Sequence, residues 1–419
     1  MGENSRAEQY FHMLLDDTSL DQSAHVLAHN NIGGVYDNQG DYEKALKSYE
    51  KSLEIQLISL PPNHPDIATT YNNIGSVYRH QGDYEKALKS YEKSLEIQLI
   101  SLPPNHPDIA TTYNNIGSVY RHQGDYEKAL KSYEKDLEIS LISLPPNHPS
   151  IATTYNNIGS VYKNQGDYEK GLKYYEKDLE ISLISLPPNH PDIATTYNNI
   201  GLVYNNEGDY EKGLKYYEKD LEISLISLPP NHPSIATTYN NIGSVYNNQD
   251  DYEKALKSYE KSLEISLISL PPNHPSIATT YNNIGSVYHN QGDYEKALKS
   301  YEKSLEISLI SLPPNHPSIA TTYNNIGSVY HNQGDYEKAL KSYEKSLEIS
   351  LISLPPNHPD IATTYNNIGL VYNNQGDYEK ALESYEKTLS IVRRTLPLAH
   401  PSRRLIESAV TAVREKLSK

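Results

Sequence analysis

The twenty residues SLPPNHPDIATTYNNIGSVY at 101–120 repeat those at 59–78 letter for letter, and the hexamer LPPNHP returns eight times at an interval of 42 residues. A fixed period of this length means a one-dimensional array of small units, not the two or three ordinary domains that 419 residues would otherwise suggest. Counting from His29, nine units fit without a gap: 29–70, 71–112, 113–154, 155–196, 197–238, 239–280, 281–322, 323–364 and 365–406. Residues 1–28 form a partial repeat that resembles the second half of a unit. Residues 407–419 end a basic capping helix that starts near 401.

Within the second unit, Tyr71, Ile74, Gly75 and Tyr78 are spaced to share one face of a helix running from Pro65 to His80, here called helix A. His-Pro opens it sensibly, because proline is tolerated in the first turn and the Asp66 that follows suits the positive end of the dipole. Gly82 closes it. Helix B begins near Tyr84 and aligns Ala87, Leu88, Tyr91, Leu95, Leu99 and Leu102 before Pro103-Pro104 stops it. One such hairpin cannot bury both apolar faces, so neighbours must stack. The predicted fold is an all-α solenoid of nine tandem helical hairpins plus a C-terminal capping helix.

The run YNNIGSVYRHQGDYEKALKSYEKSL at 71–95 resembles the tetratricopeptide signature. Tyr71 takes the aromatic position, Ile74-Gly75 the Leu-Gly pair, and Tyr78, Gly82, Tyr84, Ala87 and Tyr91 follow at the family's offsets. The common unit of that family is about 34 residues. The longer helix B and the LPPNHP turn make a variant similar to the repeats of kinesin light chains. The resemblance implies a right-handed superhelix whose concave groove is lined by helices A, and a function in binding proteins.

Several function classes are excluded or disfavoured by composition. The chain has no cysteine, which removes disulfides, thiolate zinc sites and a cysteine nucleophile. A formal charge of −16 argues against general binding of nucleic acid or anionic membrane. No signal peptide or membrane-length apolar run is present, so the expected location is the cytoplasm and membrane insertion is not expected. All but Tyr10, Tyr174 and Tyr216 of the 38 tyrosines fall at four repeated core positions. The histidines of the His-Pro turns, from His64 to His400, come one to a unit and so offer no metal pair on one helix. Glu and Lys alternate on helix B as on a solvated face. No phosphate loop or catalytic set stands apart from the repeat, so no cofactor and no enzyme activity are expected.

A binding surface is easier to locate. Opposite the core face of helix A lie Thr69, Asn72, Asn73, Ser76, Arg79 and His80, and asparagine in mid-helix needs a reason. Each amide carries a donor and an acceptor, so a ladder of them can hold the backbone of an extended peptide. The ladder runs through Asn72 and Asn73, Asn114 and Asn115, Asn156 and Asn157, then Asn198, Asn240, Asn282, Asn324 and Asn366. The competing reading is that one asparagine of each pair ties its helix to the next unit. Selectivity must come from positions that differ between units, and the residue after Tyr78 differs most. There Arg79, Arg121 and Lys163 follow one another, which predicts docking of an acidic segment across 71–196, against simple drift near a helix end. Leu202 and Leu370 replace a groove serine and are candidate apolar anchors.

Gly171 and Gly213 replace alanine in two helices B and Asp250 replaces a turn glycine, so the middle of the array is expected to be its softer part. At the C-terminus Arg393, Arg394, Arg403, Arg404, Arg414, Lys416 and Lys419 outnumber Glu407 and Glu415, with Ile406, Ala409, Val410, Val413 and Leu417 on the opposite face. That charged side reads as a solvated face or as a site for an acidic partner. Gly2, Ala7 and Phe11 align with Gly82, Ala87 and Tyr91, as if the chain opened mid-unit with more protein upstream.

Three readings follow. The first is a non-catalytic scaffold that binds extended peptides in an asparagine-lined groove. The second is a cargo adaptor like kinesin light chains, with kinesin heavy chain as partner and cytoskeletal association, although no heptad segment for that partner occurs in 1–28. The third is the repeat tail of a larger protein, an enzyme among the possibilities.

Overall fold

The computed structural model describes residues 3–16, 21–395 and 401–418, and among them every regular element is an α-helix. The expectations for Gly2, His400 and Lys419 lie outside the described residues. The chain divides into two compact bodies, Met1–Asp209 and Tyr210–Lys419. In the first, a leading helix Glu3–Asp16 is followed by helices A at Gln22–Gln39, Pro65–Gln81, Pro107–Gln123, Pro149–Asn164 and Pro191–Glu207. These alternate with helices B at Tyr42–Ser59, Tyr84–Ser101, Tyr126–Ser143 and Tyr168–Ser185. The second body begins with helix B Tyr210–Ser227. It continues through helices A at Pro233–Asn248, Pro275–Asn290, Pro317–Asn332 and Pro359–Gln375, with helices B at Tyr252–Ser269, Tyr294–Ser311, Tyr336–Ser353 and Tyr378–Thr395. It ends with Pro401–Leu417. In each body consecutive helices pack on one another and each helix A also touches the next helix A. The architecture is a tandem of helical hairpins, as the period requires.

Local chemistry fixes each hairpin. The imidazole Nδ1 of His64 accepts from the Asp66 N–H at 3.3 Å, which caps the first turn of helix A. His106 and His148 do the same at 3.2 Å, so the repeated histidines are caps and not merely turn residues. At the other end Gly82 adopts φ +78°, and the N–H groups of Gly82 and Asp83 donate to the carbonyls of Arg79 and Tyr78. Asp83 then caps helix B by accepting from the Lys86 N–H at 3.3 Å. Gly75 is where the two helices meet. A Cβ built there would lie 2.7 Å from the Tyr91 ring, so only glycine lets that buried ring cross helix A. Ile67 and Ala68 of helix A also pack against Ile97 of helix B, and Leu53 of the preceding helix B joins this cluster from the hairpin before.

One expectation for helix B needs correction. Leu99 does not face the core: it is 55 % exposed, and Ile100 beside it is 64 % exposed. The buried line instead runs through Ala87, Tyr91, Ser94 and Gln98, at spacings of 4, 3 and 4. Two of its members are polar, so a reading by hydrophobicity slips off the true face after Tyr91.

The ends behave as hairpin partners. Phe11 and Leu15 pack against a cluster containing Ile32 and Tyr49. Ile406, Val410 and Val413 pack against Ala381, Tyr385 and Leu389. Part of the basic charge at this end is paired: Arg414 and Lys416 of the last helix donate to Glu386 at 2.6 Å and Asn373 at 3.0 Å, and Arg393 of the preceding helix B donates to Glu407 at 3.3 Å.

Candidate functional site: the polar face of helices A

The asparagine pairs sit half-buried on helices A, and their amides bond from unit to unit. Asn115 Nδ2 donates to Asn72 Oδ1 at 3.1 Å, and Asn157 Nδ2 donates to Asn114 Oδ1 at 3.2 Å. Asn199 reaches Asn156 at 3.3 Å, and in the second body Asn283, Asn325 and Asn367 reach Asn240, Asn282 and Asn324 at 3.1–3.2 Å. The second asparagine of these pairs thus ties its helix to the preceding unit, while its own amide oxygen accepts no hydrogen bond among the described residues. Asn198 is also bonded, whereas Asn73 and Asn366 make no side-chain hydrogen bond among the described residues. Ser76 Oγ lies 3.0 Å from the Tyr91 hydroxyl. Leu202 is half-buried and Leu370 is 37 % exposed.

Beneath the ladder lies a buried polar node that sequence reasoning missed. Its fixed member is a threonine of the next helix A; its variable members are two helix B residues four apart. In the first two units Gln56 and Gln98 supply an amide oxygen to the hydroxyls of Thr70 and Thr112, each at 2.8 Å. From the third unit the acceptor is a carboxylate. Thr154 donates to Asp136 at 2.7 Å, Thr196 to Asp178 at 2.6 Å and Thr238 to Asp220 at 2.6 Å. Asn114 and Asn156 add their Nδ2 groups to Asp136 and Asp178, each at 2.7 Å, and Ser140 adds its hydroxyl to Asp136 at 3.0 Å. Burial pushes the Asp136 carboxyl above its ordinary value, with the bonds from Thr154, Asn114 and Ser140 pulling the other way. The signal was present in the sequence, as Ser-Gln, Asp-Ser and Ser-Ser alternatives at helical spacing, but nothing there says that these positions are buried.

Among the described residues, Arg79, Arg121 and Lys163 have no carboxylate in ion-pair range. The Nε groups of both arginines are buried without a partner. Burial, and then the Arg121 charge, pull the Lys163 ammonium below its ordinary pKa. Arg79 Nη2 lies 2.9 Å from His80 Nε2. Asp37, their counterpart in the first unit, is engaged by His80 at 2.9 Å.

The model of the tetratricopeptide repeat matches at 25–100, 66–141, 108–184, 150–226, 192–268, 234–310, 276–352 and 318–394. The chain belongs to the tetratricopeptide repeat family. Its members are generally protein-interaction scaffolds, and the fold is typically non-catalytic. Among curated proteins no sequence matches the chain. Solved structures of similar fold include a signal transduction ATPase with numerous domains and a tetratricopeptide repeat sensor, from Pyrococcus horikoshii. It is 14 % identical with a TM-score of 0.57, over 95 % of this chain and 56 % of that one. The apo form of RapI is 18 % identical with a TM-score of 0.51, over 67 % of this tetratricopeptide chain and 97 % of its own. The nearly identical repeats of a putative kinesin light chain from Podosopora anserina align at 20 % identity and a TM-score of 0.42, over 50 % and 99 %. At these identities the likeness concerns the fold. No helix among the described residues is long and apolar enough to cross a membrane.

Proposed function

We propose that this tetratricopeptide protein is a non-catalytic scaffold that holds extended segments of partner proteins along the polar face of its helices A. An acidic segment is favoured across 71–196. The observation that carries this reading is the row Arg79, Arg121 and Lys163, cations that make no ion pair with a carboxylate among the described residues, in a chain of net charge −16. Removing charges from water without a partner is unfavourable, and an acidic ligand would relieve it. The Asn73 amide and the amide oxygens of Asn115 and Asn157, which make no hydrogen bond among the described residues, supply sequence-tolerant contacts beside them. The test is affinity capture at two salt concentrations with the natural chain and the triple variant Arg79→Ser, Arg121→Ser, Lys163→Ser. Partners that bind the variant more weakly and with less salt dependence support the reading; partners bound equally by both refute it.

A second reading, an adaptor like the kinesin light chains, is favoured by the 42-residue period. Kinesin heavy chain among the captured proteins would support it.

A further inference from the structure

The buried polar node changes its chemistry along the chain. From the first unit to the fifth, helix B supplies an acceptor oxygen to the threonine of the next helix A, first from Gln56 and Gln98 and then from Asp136, Asp178 and Asp220. In the sixth, seventh and eighth units both helix B positions are serine. Ser262 and Ser266, with their counterparts 304 and 308, and 346 and 350, are at most 2 % exposed and make no side-chain hydrogen bond among the described residues. Asn240, Asn282 and Asn324 correspond to Asn114 and Asn156, which give their Nδ2 groups to a carboxylate. Here the Nδ2 groups have no acceptor among the described residues.

In the sixth and seventh units cavities open onto these groups, and the eighth carries the same residues. One of about 300 Å³ is bounded in part by Asn240, Ser262, Ser266 and Thr280. Another of about 320 Å³ is bounded in part by Asn282, Ser304, Ser308 and Thr322. The third unit has a cavity at the same place with Asp136 in its wall. The difference between the units is therefore chemical: an amide N–H2, a threonine hydroxyl and a serine hydroxyl that together hold a carboxylate in the third unit recur without one. Thr280 bonds the Ser276 carbonyl at 3.1 Å, as Thr154 bonds the Ser150 carbonyl at 3.0 Å, but has no counterpart of the Thr154 bond to Asp136. Water can wet such a site, but converging donors bind an ionised acceptor more strongly than a neutral one.

We infer that the sixth, seventh and eighth units each hold one carboxylate of a bound partner, at the place that Asp136 fills in the third. The inference rests on the reading that partners lie along helices A. A side-chain carboxylate and a free C-terminus offer the same chemistry, and the test separates them.

The experiment follows the side-chain amide resonances of Asn240, Asn282 and Asn324 in the full chain. The probes are N-acetylglutamate methylamide, its glutamine counterpart and N-acetylglycine. The glutamate probe should shift these resonances with about tenfold higher affinity than the glutamine probe. The triple variant Ser262→Asp, Ser304→Asp, Ser346→Asp should lose the response. It keeps the serine four residues on and so copies the native pair of the third unit, which safeguards folding. Asp136→Ser should gain a response at Asn114. A response to N-acetylglycine alone supports the inference with a C-terminus as the source. No response to either carboxylate, equal affinity for the glutamate and glutamine probes, or an undiminished response in the triple Asp variant overturns it. In those cases water is the occupant. Partner capture that persists while the probes are silent leaves the scaffold reading standing and sinks only the carboxylate pockets.

Discussion

Gly171 and Gly159 face each other across the fourth hairpin, and substituting alanine at each should have opposite effects. A Cβ at Gly171 would meet the Gly159 carbonyl oxygen and the Lys163 nitrogen at 3.4 Å, which is ordinary contact. Alanine holds the same position in the second and third units, where Ala87 and Ala129 are wholly buried. Gly171→Ala therefore removes a helix penalty of about 1 kcal/mol without displacing anything, and burying the methyl adds up to about 0.8 kcal/mol. At Gly159 a Cβ would lie 3.0 Å from the Tyr175 ring and 3.2 Å from the Gly171 oxygen. Overpacking of that kind costs about 1–3 kcal/mol and should outweigh the helix gain. Amide hydrogen exchange across Tyr168–Ser185 is the suitable assay, since a repeat array need not unfold in one step. A gain of about 1–2 kcal/mol slows exchange roughly 5- to 30-fold in Gly171→Ala, and exchange should quicken in Gly159→Ala. If Gly171→Ala exchanged no more slowly than the natural chain, the reasoning from contact distances would be refuted. The natural chain partly offsets its glycine with Tyr174, which stacks on Tyr162 at 5.5 Å with Lys177 lying 5.4 Å from the Tyr174 ring centroid.

Four further outcomes are expected. Because burial raises the Asp136 carboxyl in the folded state, the stability it contributes is complete below the unfolded value of 3.8 and is lost as pH rises through the raised value. Asp136→Ser should therefore show a smaller loss of stability than the natural chain over that rise, measured by urea denaturation as a function of pH; an unchanged or opposite slope would contradict the burial argument. Exposed Asp125 has the reverse sign, since its side-chain bond to Lys128 lowers its pKa, so its contribution is lost on acidification. Asp250 is a non-glycine residue at φ +58°, and Asp250→Gly should stabilise the second body by about 1 kcal/mol in urea melts, less what the Tyr252 hydroxyl bond at 2.8 Å supplies; a loss of stability would show that this bond dominates. Asn157→Ala removes the bond to Asn114 and should cost about 0.5–1.5 kcal/mol, read as faster exchange in Pro149–Asn164, whereas an unchanged rate would mean that the ladder does not stabilise the array.

The helices were legible in the sequence because proline, glycine and the 3-4 spacing of Tyr71, Ile74 and Tyr78 act locally. Pro65 starts helix A and Gly82 ends it, and neither depends on what packs alongside. The inner line of helix B was legible only as far as Tyr91. Ser94 and Gln98 are buried because the next helix A covers them, which is a fact of stacking that hydropathy does not carry. The same limit applies to the site. Asn72 and Arg79 could be placed on the outer face of helix A from periodicity alone. That Asn72 spends its amide oxygen on Asn115, and that Asp136 is a buried acceptor, depends on contacts between residues in different units. His64 belongs to the same class: its position after the double proline marks a turn, but its cap on Asp66 needs the ring orientation.

The central claim is that partners lie on the face of helices A. A photo-crosslinking residue placed at exposed Thr111 on helix A, and in a second protein at exposed Glu134 on helix B, tests it in the presence of a captured partner. Crosslinks from 111 and not from 134 are the predicted result; crosslinks from 134 alone would place the partner on the helix B face and contradict the account.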